Sequence, residues 1–514
     1  VNNPSIREIN PFGIGVEGIW LVKYDRSEPI NLLPQFLEIN IYQSLFTPVI
    51  SGELLIYDPI GLFVNYPMTG EESIIVRFKE TAGRSTPVNN SLSSRFPFGS
   101  PSLTSLDSRT FYYKITGIRE IKPADNAREN SYVLELASEE IHESTRVKVS
   151  HCYTEKSVSD SIQEFYLQYI DLEARQRVST PNFGFYSKKL HTDSGHETEA
   201  LPMHVIIPNL RPFNAVEYFR KKAISKDSRR YHTWVFFENF YGFFFTTIQS
   251  IIEDQINSFG TEIANKRYIY NSNFEIVNDA DPTQIDRLLS RYDVNKRFSE
   301  TEKSSRGYFR NQTITINPDS KDYPYYEFTD SDEDQSTYLY QNKVNTKTYR
   351  EILERPYSAI PVRNKTFENA PRLIYKIETQ NAVQNNNEDE LERIRDSHSE
   401  RYLTSLNQID ISIVVPGDLT HNVGELIYVE FPELHGFNRV EKDKYISGYF
   451  LVTEIRHTVS VGGKVSSVLR INKDSFSTEL ESMNNYALDT VLPRLEQRTV
   501  IDPATGQPET EGGE

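Results

Sequence analysis

The stretch that decides the fold reads ISIVVPGDLTHNVGELIYVEFPEL from Ile411 to Leu434 and, after a polar insert, YISGYFLVTEIRHTVSVGGKVSSVLRINKDS from Tyr445 to Ser475. Two β-type runs, Tyr449 to Val459 and Val465 to Ile471, flank the Gly462-Gly463 pair. In the second run Val465, Ser467, Leu469 and Ile471 share one face, leaving Ser466, Val468 and Arg470 on the other. Period-two spacing around a turn that needs positive φ is the signal for a hairpin. Upstream, Pro416-Gly417 and Asn422-Val423-Gly424 break the chain between short strands, the punctuation of a small antiparallel barrel. Nothing in this module is reactive; it is built to pair strands and present a surface.

The same grammar recurs near the start. Between Phe36 and Phe78, Leu37, Ile39 and Ile41 alternate with Glu38, Asn40 and Tyr42, and Ser51-Gly52 opens an apolar strand much as Ser447-Gly448 does. Residues 81–108 are rich in Ser, Pro, Gly and Asn and are expected to form a mobile loop between two strands. Strands resume at Phe111 to Ile118 and at Tyr132 to Ala137, where Tyr132, Leu134 and Leu136 share a face. These strands place a first β-rich domain at residues 1–150.

Residues 151–265 carry a mixed pattern. Ser157 and Asp160 have capping-box spacing before a helix whose Val158, Ile162, Phe165 and Tyr169 fall on one side. A second helix begins at Pro212 and buries Val216, Phe219 and Ala223. LHTDSGHETEA between them reads as a polar loop. The aromatic hairpin Trp234 to Ile248 turns at Asn239 to Gly242; it either rejoins the first barrel or finishes an α/β domain. Residues 266–400 hold a polar elaboration of weak periodicity (Asn271 to Asn387), expected to contact neighbouring proteins, and a linker at Asn385 to Asn387. A helix using Leu391, Ile394, Tyr402 and Leu406 leads to the second barrel at 401–476; a short helix through Leu488 and an acidic, disordered-type tail fill 477–514. The fold class is α+β and β-rich.

Composition sets the outer limits. A chain of 514 residues is too long for one core. Hydrophobic residues are only 37%, but 31 Tyr and 29 Phe can fill several small cores. The single cysteine, Cys152, excludes an intrachain disulfide and suits folding in a cytoplasm. No apolar run approaches the ~20 residues of a bilayer span, so no integral membrane association is expected. The opening VNNPSIREINPF lacks the pattern of a secretory signal. A net charge of −17 argues against tight phosphate binding; solubility alone accounts for it, and a like-charged wall along which a duplex slides would give it a use.

Catalytic constellations are weak. Gly13 to Gly18 spells G-x-G-x-x-G, but Asn10-Pro11-Phe12 precedes it and a strand-like run follows, the wrong order for a dinucleotide site. His191, Asp193, His196 and Glu197 lack the helical spacing of a metal motif, so chance clustering in a polar loop is the better account. His151 and Cys152 are neighbours on a strand and point to opposite faces, which leaves Cys152 as a buried structural thiol. No catalytic residue, cofactor or metal ligand is expected, and the chain is not read as an enzyme.

In its second half the chain resembles the C-terminal barrel of baseplate hub proteins, the central tail proteins of contractile-tailed phages (the hub or late-control-like family). The residues that carry the likeness are the Pro416-Gly417 turn, Val423-Gly424-Glu425-Leu426 before a strand ending Phe431-Pro432, Ser447-Gly448, Leu451-Val452-Thr453, His457, and Lys473-Asp474-Ser475. Two more segments are similar, in the family's order: SLFTPVISGELLIYDPIGLFVNYPMTGEESIIVRF from Ser44 to Phe78, and HVIIPNLRPFNAVEYFRKKA with WVFFENFYGFFF between His204 and Phe245. Together they cover somewhat under half of the chain.

The resemblance implies two small antiparallel tube-type β-barrels per subunit, with α/β and irregular domains between them. Three subunits would form a pseudo-sixfold ring that joins a six-fold tail tube to a three-fold central spike. It implies a homotrimer in the virion, at the tail baseplate, folded and assembled in host cytoplasm. Its partners would be the tail tube protein, the central spike protein and other baseplate proteins, with DNA met only in transit during ejection. Tyr449, Leu451, Thr453, Ile455, His457, Leu469 and Ile471 are then expected in the wall of the second barrel and in contacts between subunits. Two other classes remain open: a carbohydrate-binding or depolymerising tail protein, and the hub portion of a contractile secretion or injection spike. The short acidic end weighs against the second, and an enzyme of unknown type in Asn271 to Asn387 is a further possibility.

Overall fold

The computed structural model describes residues 14–23, 29–59, 61–80, 108–123, 130–171, 188–192, 203–225, 227, 229–259, 267–270, 288–297, 299–308, 310–316, 321, 325–329, 338–340, 372–377, 386–417, 419, 421–432, 442–462 and 464–478. The expected loop at 81–108 (apart from Ser108), the expected helix through Leu488 and the acidic tail lie outside them.

The first third is a run of strands: β1 (Ile14–Val22), β2 (Ile30–Asn31), β3 (Phe36–Ser44), β4 (Ser51–Asp58), the one-turn α1 (Leu62–Asn65), β5 (Ser73–Glu80), β6 (Ser108–Pro123) and β7 (Asn130–Ser138). They pair antiparallel in the order β2-β1-β5-β6-β7-β4-β3. Alternation drives one face of each inward: Ile19, Leu21, Ile39, Ile41, Leu54, Ile56, Ile74, Val76, Leu134 and Leu136 fill a single core. One expected inward residue is displaced. The register of β3 shifts between Phe36 and Glu38, and this bulge buries Phe36 and turns Leu37 out to 37% exposure.

A compact α/β layer follows: α2 (Glu139–Arg146), β8 (Val149–Lys156), α3 (Val158–Tyr169), β9 (Lys189–Thr192), β10 (Met203–Leu210), α4 (Pro212–Lys222), β11 (Trp234–Asn239), β12 (Gly242–Thr247) and α5 (Ile248–Phe259). Helix α3 starts where the cap requires: the Asp160 N–H donates to Ser157 Oγ at 3.1 Å, a contact that contributes about 1 kcal/mol. The polar loop expected at Leu190 to Thr192 is a strand, parallel to β12, because the neighbouring aromatic hairpin offers it a ladder. Cys152 corrects a second expectation. It is exposed, since β8 is covered on one face only and Val149 and Tyr153 occupy that face.

The polar middle holds more order than its weak periodicity suggested. It contains β13 (Arg267–Tyr270), β14 (Leu288–Leu289), β15 (Arg291–Arg297), α6 (Glu300–Ser305), β16 (Arg310–Ile316), β17 (Tyr325–Thr329), β18 (Arg372–Ile377) and α7 (Asn386–Leu406). Strands β13 to β15 join the sheet of the C-terminal strands β19 (Ile409–Pro416), β20 (Leu426–Glu430), β21 (Gly448–Ser460) and β22 (Lys464–Lys473). Strand β15 reads as polar because most of it is exposed: Arg291, Asp293 and Asn295 all face solvent.

The first and last runs of strands are parts of one sheet. Among the described residues it has fourteen strands, and β3 and β21 pair directly to bridge its two lobes. The aromatic hairpin β11–β12 ties three cores together. Phe236, Phe243 and Phe245 pack into the α/β core, and Val235, Phe237 and Phe244 into the second lobe. Phe240 at the turn packs into the first lobe.

Candidate functional site

The joint between the lobes is built from strands more than 400 positions apart in sequence. β3 and β21 pair antiparallel from Ser44 opposite Glu454 to Glu38 opposite Ser460. Ile39, Ile41, Ile455, His457 and Val459 point inward and are buried. Their alternates form a polar outer face. There Asn40 Oδ1 accepts from Arg456 Nε at 3.0 Å and from Thr458 Oγ1 at 2.7 Å, while Asn40 Nδ2 donates to Glu38 at 2.9 Å.

The outer face continues in both directions across the sheet. Tyr42 OH donates to Glu53 Oε2 at 2.9 Å, and Glu53 and Glu135 both hold the guanidinium of Arg119. On the other side Arg470 Nη2 meets Asp410 Oδ2 at 2.6 Å, and Arg470 Nη1 meets Glu454 Oε2 at 3.2 Å. Hydrogen bonding to Asp410 is the main cause that raises the Arg470 guanidinium further above its ordinary range. The result is a belt of alternating charge over β19, β22, β21, β3, β4, β7 and β6. Its residues lie far apart in sequence, so no motif announces it. The signal available was that they occupy the polar register of strands whose other register is apolar.

Beneath the belt, the turn His421 to Leu426 locks the lobes and the α/β layer together. The Val423 N–H donates to Gln43 Oε1 of β3, and the Phe240 N–H donates to Asn422 Oδ1. Gln255 of α5 donates to the Gly424 carbonyl at 2.6 Å and accepts from the Leu426 N–H at 2.8 Å. Gly424 has φ +87, which a side chain would strain, and its N–H donates to the Val452 carbonyl. Tyr268 OH bonds His421 Nε2 at 2.5 Å, and His421 Nδ1 lies 3.3 Å from Glu425.

His457 is a packed histidine. Its Nε2 donates to the His421 carbonyl at 3.2 Å, which leaves Nδ1 to accept from Ser467 Oγ at 2.8 Å, and its ring stacks on Phe240. Leu451, Thr453, Ile455, Leu469 and Ile471 are buried with it inside the chain. Of the seven residues expected in the wall and in subunit contacts, only Tyr449 is partly open, edge-on to Tyr428. Period-two alternation is the reason: the apolar register that reveals a strand is the register the chain keeps for its own core. The opposite register is the one this hairpin leaves open on the single chain.

Two lysines, Lys473 buried and Lys188 largely so, brace the frame. Lys188 meets Glu140 at 2.8 Å and Glu238 at 2.5 Å, and Glu238 also accepts from the Ile50 N–H and Ser138 Oγ. Burial pushes the Lys188 amine down, but the two carboxylates outweigh it and hold the amine above its usual range. Lys473 donates to the carbonyls of Tyr445 and Ile446 and to Ser477 Oγ, with the rings of Tyr340 and Phe450 on either side. Burial pushes its amine down to about 7.

The other motif candidates have structural places. Gly15 and Gly18 lie within β1, paired to β5, with no helix after them. His191 stacks on Phe244 in the interior; Asp193, His196 and Glu197 lie outside the described residues. Among the described residues no three His, Cys, Asp or Glu side chains are grouped to hold a metal ion. No helix among them is long and apolar enough to cross a membrane.

No family model matches this sequence, and no curated protein matches it. Solved structures of tail proteins do. The tail protein of Neisseria meningitidis MC58 is 10% identical, with 90% of this chain and 97% of that one covered and a TM-score of 0.47. The 43 kDa tail protein of prophage MuSo2 from Shewanella oneidensis is also 10% identical, covering 89% and 99%, with a TM-score of 0.46. A chain of the half-lidded Francisella PdpA–VgrG complex is 11% identical over 91% of this chain and 59% of that one, with a TM-score of 0.41. The structure is thus similar, at low identity, to phage tail proteins, the class that the sequence resembles.

Proposed function

We propose that the chain is a structural hub of a contractile-tail baseplate. In this reading three copies form a pseudo-sixfold collar between tail tube and central spike, with a bore for DNA. The supporting observation is the β3–β21 pairing, which sets two similar lobes side by side within one chain. Each lobe suits a barrel. In the second, residues Leu288 to Arg297 supply both β14, paired to β13, and β15, paired to β19, with the Ser290 N–H donating to the Val414 carbonyl. The pairings β13-β20-β21-β22-β19 then return to the same segment. In the first lobe, β2 and β3 stand at opposite ends of the strand order, yet only Leu32 to Gln35 separate them in sequence, which supports reading this lobe as a curled sheet.

A ring of such lobes would cover strand edges that otherwise invite aggregation, and would convert three copies into six equivalent contacts. Its work is mechanical: it holds spike to tube and keeps the bore open, with no covalent chemistry. Mass measurement of the purified protein tests this. A particle of about 180 kDa, three times 59.6 kDa, with six lobes around its axis in electron micrographs, is the expected result. A stable monomer with affinity for glycans would replace the hub by a carbohydrate-binding tail protein.

A further inference from the structure

We infer that the belt over the two lobes is a self-neutralised wall. Its arginines are held by carboxylates of the same face so that they cannot grip the phosphates of a passing duplex. This rests on the reading of the chain as a hub with a DNA bore, and assigns the belt to the side of the sheet that faces it. The pattern is specific. Arg119 lies between Glu53 and Glu135. Arg470 lies between Asp410 and Glu454. Arg456 is turned onto Asn40, 4.0 Å from Glu38, with its guanidinium over the Tyr42 ring. All three guanidinium groups are roughly half exposed, so burial is not what restrains them.

A bare arginine on such a surface would replace counterions on a phosphate backbone and act as a brake. Deleting the arginines would remove the brake but leave Glu53 and Glu135, whose backbones are register partners, in mutual repulsion across adjacent strands. Arginine between two carboxylates answers both needs. It ties neighbouring strands together, and its charge is answered by two carboxylates before a phosphate arrives. The belt as a whole carries Asp410, Glu454, Glu38, Glu53 and Glu135 against Arg470, Arg456 and Arg119, so its sum stays negative.

The test uses the full chain and a short fluorescein-labelled DNA duplex in low salt, followed by anisotropy. Wild type should show no saturable binding. The variant Glu38→Gln/Glu53→Gln/Glu135→Gln/Glu454→Gln, which frees Arg119 and leaves Arg456 with the neutral Asn40 as its partner, should gain affinity by at least about tenfold, with a log–log salt slope near −2. Adding Arg119→Gln and Arg456→Gln should abolish that gain. A charge-matched variant elsewhere, Glu17→Gln/Glu155→Gln, whose carboxylates hold no cation among the described residues, should not reproduce the gain of Glu53→Gln/Glu135→Gln. If the first variant fails to fold, Glu53→Gln/Glu135→Gln asks the same question of Arg119 alone. Tight binding by wild type, no gain in the freed variants, or an equal gain in the charge-matched one would each overturn the inference. A monomeric mass would instead remove the hub reading while leaving the binding result intact, so the two failures can be told apart.

Discussion

Lys473 is a residue at which a single proton is linked to the stability of the fold. Its amine is enclosed by two carbonyls, the Ser477 hydroxyl and two rings, and burial lowers it from 10.5 to about 7, against the pull of Asp474 and Asp443. A lysine whose pKa falls on folding binds its proton less tightly in the fold than in the unfolded chain. Below pH 7 both states carry the proton and the cost of burying it is felt in full. Between pH 7 and 10.5 the unfolded chain holds a proton that the folded chain does not, so stability rises with pH by about 1.4 kcal/mol per unit. Urea midpoints of wild type and Lys473→Met, compared from pH 7 to 9, should differ by that slope. Parallel curves would mean that the amine is charged in the fold. The same residue scale explains His457: with both ring nitrogens committed to groups inside the chain, it is a packing and tautomer-fixing residue.

Among the elements, the aromatic hairpin β11–β12 matters most, because its two faces and its turn each belong to a different core. Phe240 packs on Phe111 with centroids 4.8 Å apart and on His457 at 5.4 Å, and its N–H is held by Asn422. Phe240→Ala should therefore cost about 3–5 kcal/mol in urea unfolding. The loss should fall on both lobes together, as one transition shifted to lower urea. Two separated transitions would show that the lobes are stabilised independently and that the hairpin is not their link. Helix α7 obeys a different economy. Glu392, Arg393, Arg395, Ser397 and His398 are buried along with Ile394 and Tyr402. Arg395 is satisfied there by the Ala223 carbonyl and by Asp396.

For the whole molecule, the proposed hub gives the sum of charges and their placement on one sheet face a consequence that ejection experiments can read. With the belt facing the bore, Glu53→Lys/Glu454→Lys would convert a wall of net negative charge into one with two added cations. Particles carrying that variant should eject DNA more slowly, with the delay relieved by raised salt as the phosphate contacts are screened. Ejection at the wild-type rate in low salt would place the belt away from the duplex.

What the sequence determined by itself was local. Period-two alternation, the Gly462 turn, the Ser157 cap and Pro212 at a helix start are set by neighbours a few residues apart, and they located β21, β22, α3 and α4. The three similar segments added the resemblance to tail proteins, which the structure shares at low identity. The tertiary structure alone decided what depends on distant partners. Strand β15 was hidden because its exposed polar residues show no apolar period, and β13 and β14 because they are too short to show any period. Cys152 was taken as buried, though only one side of its ribbon is covered. The belt and the β3–β21 joint were invisible because their members meet across hundreds of residues. Alternation tells which side chains leave the core, but only the register between strands says which of them face one another once outside it.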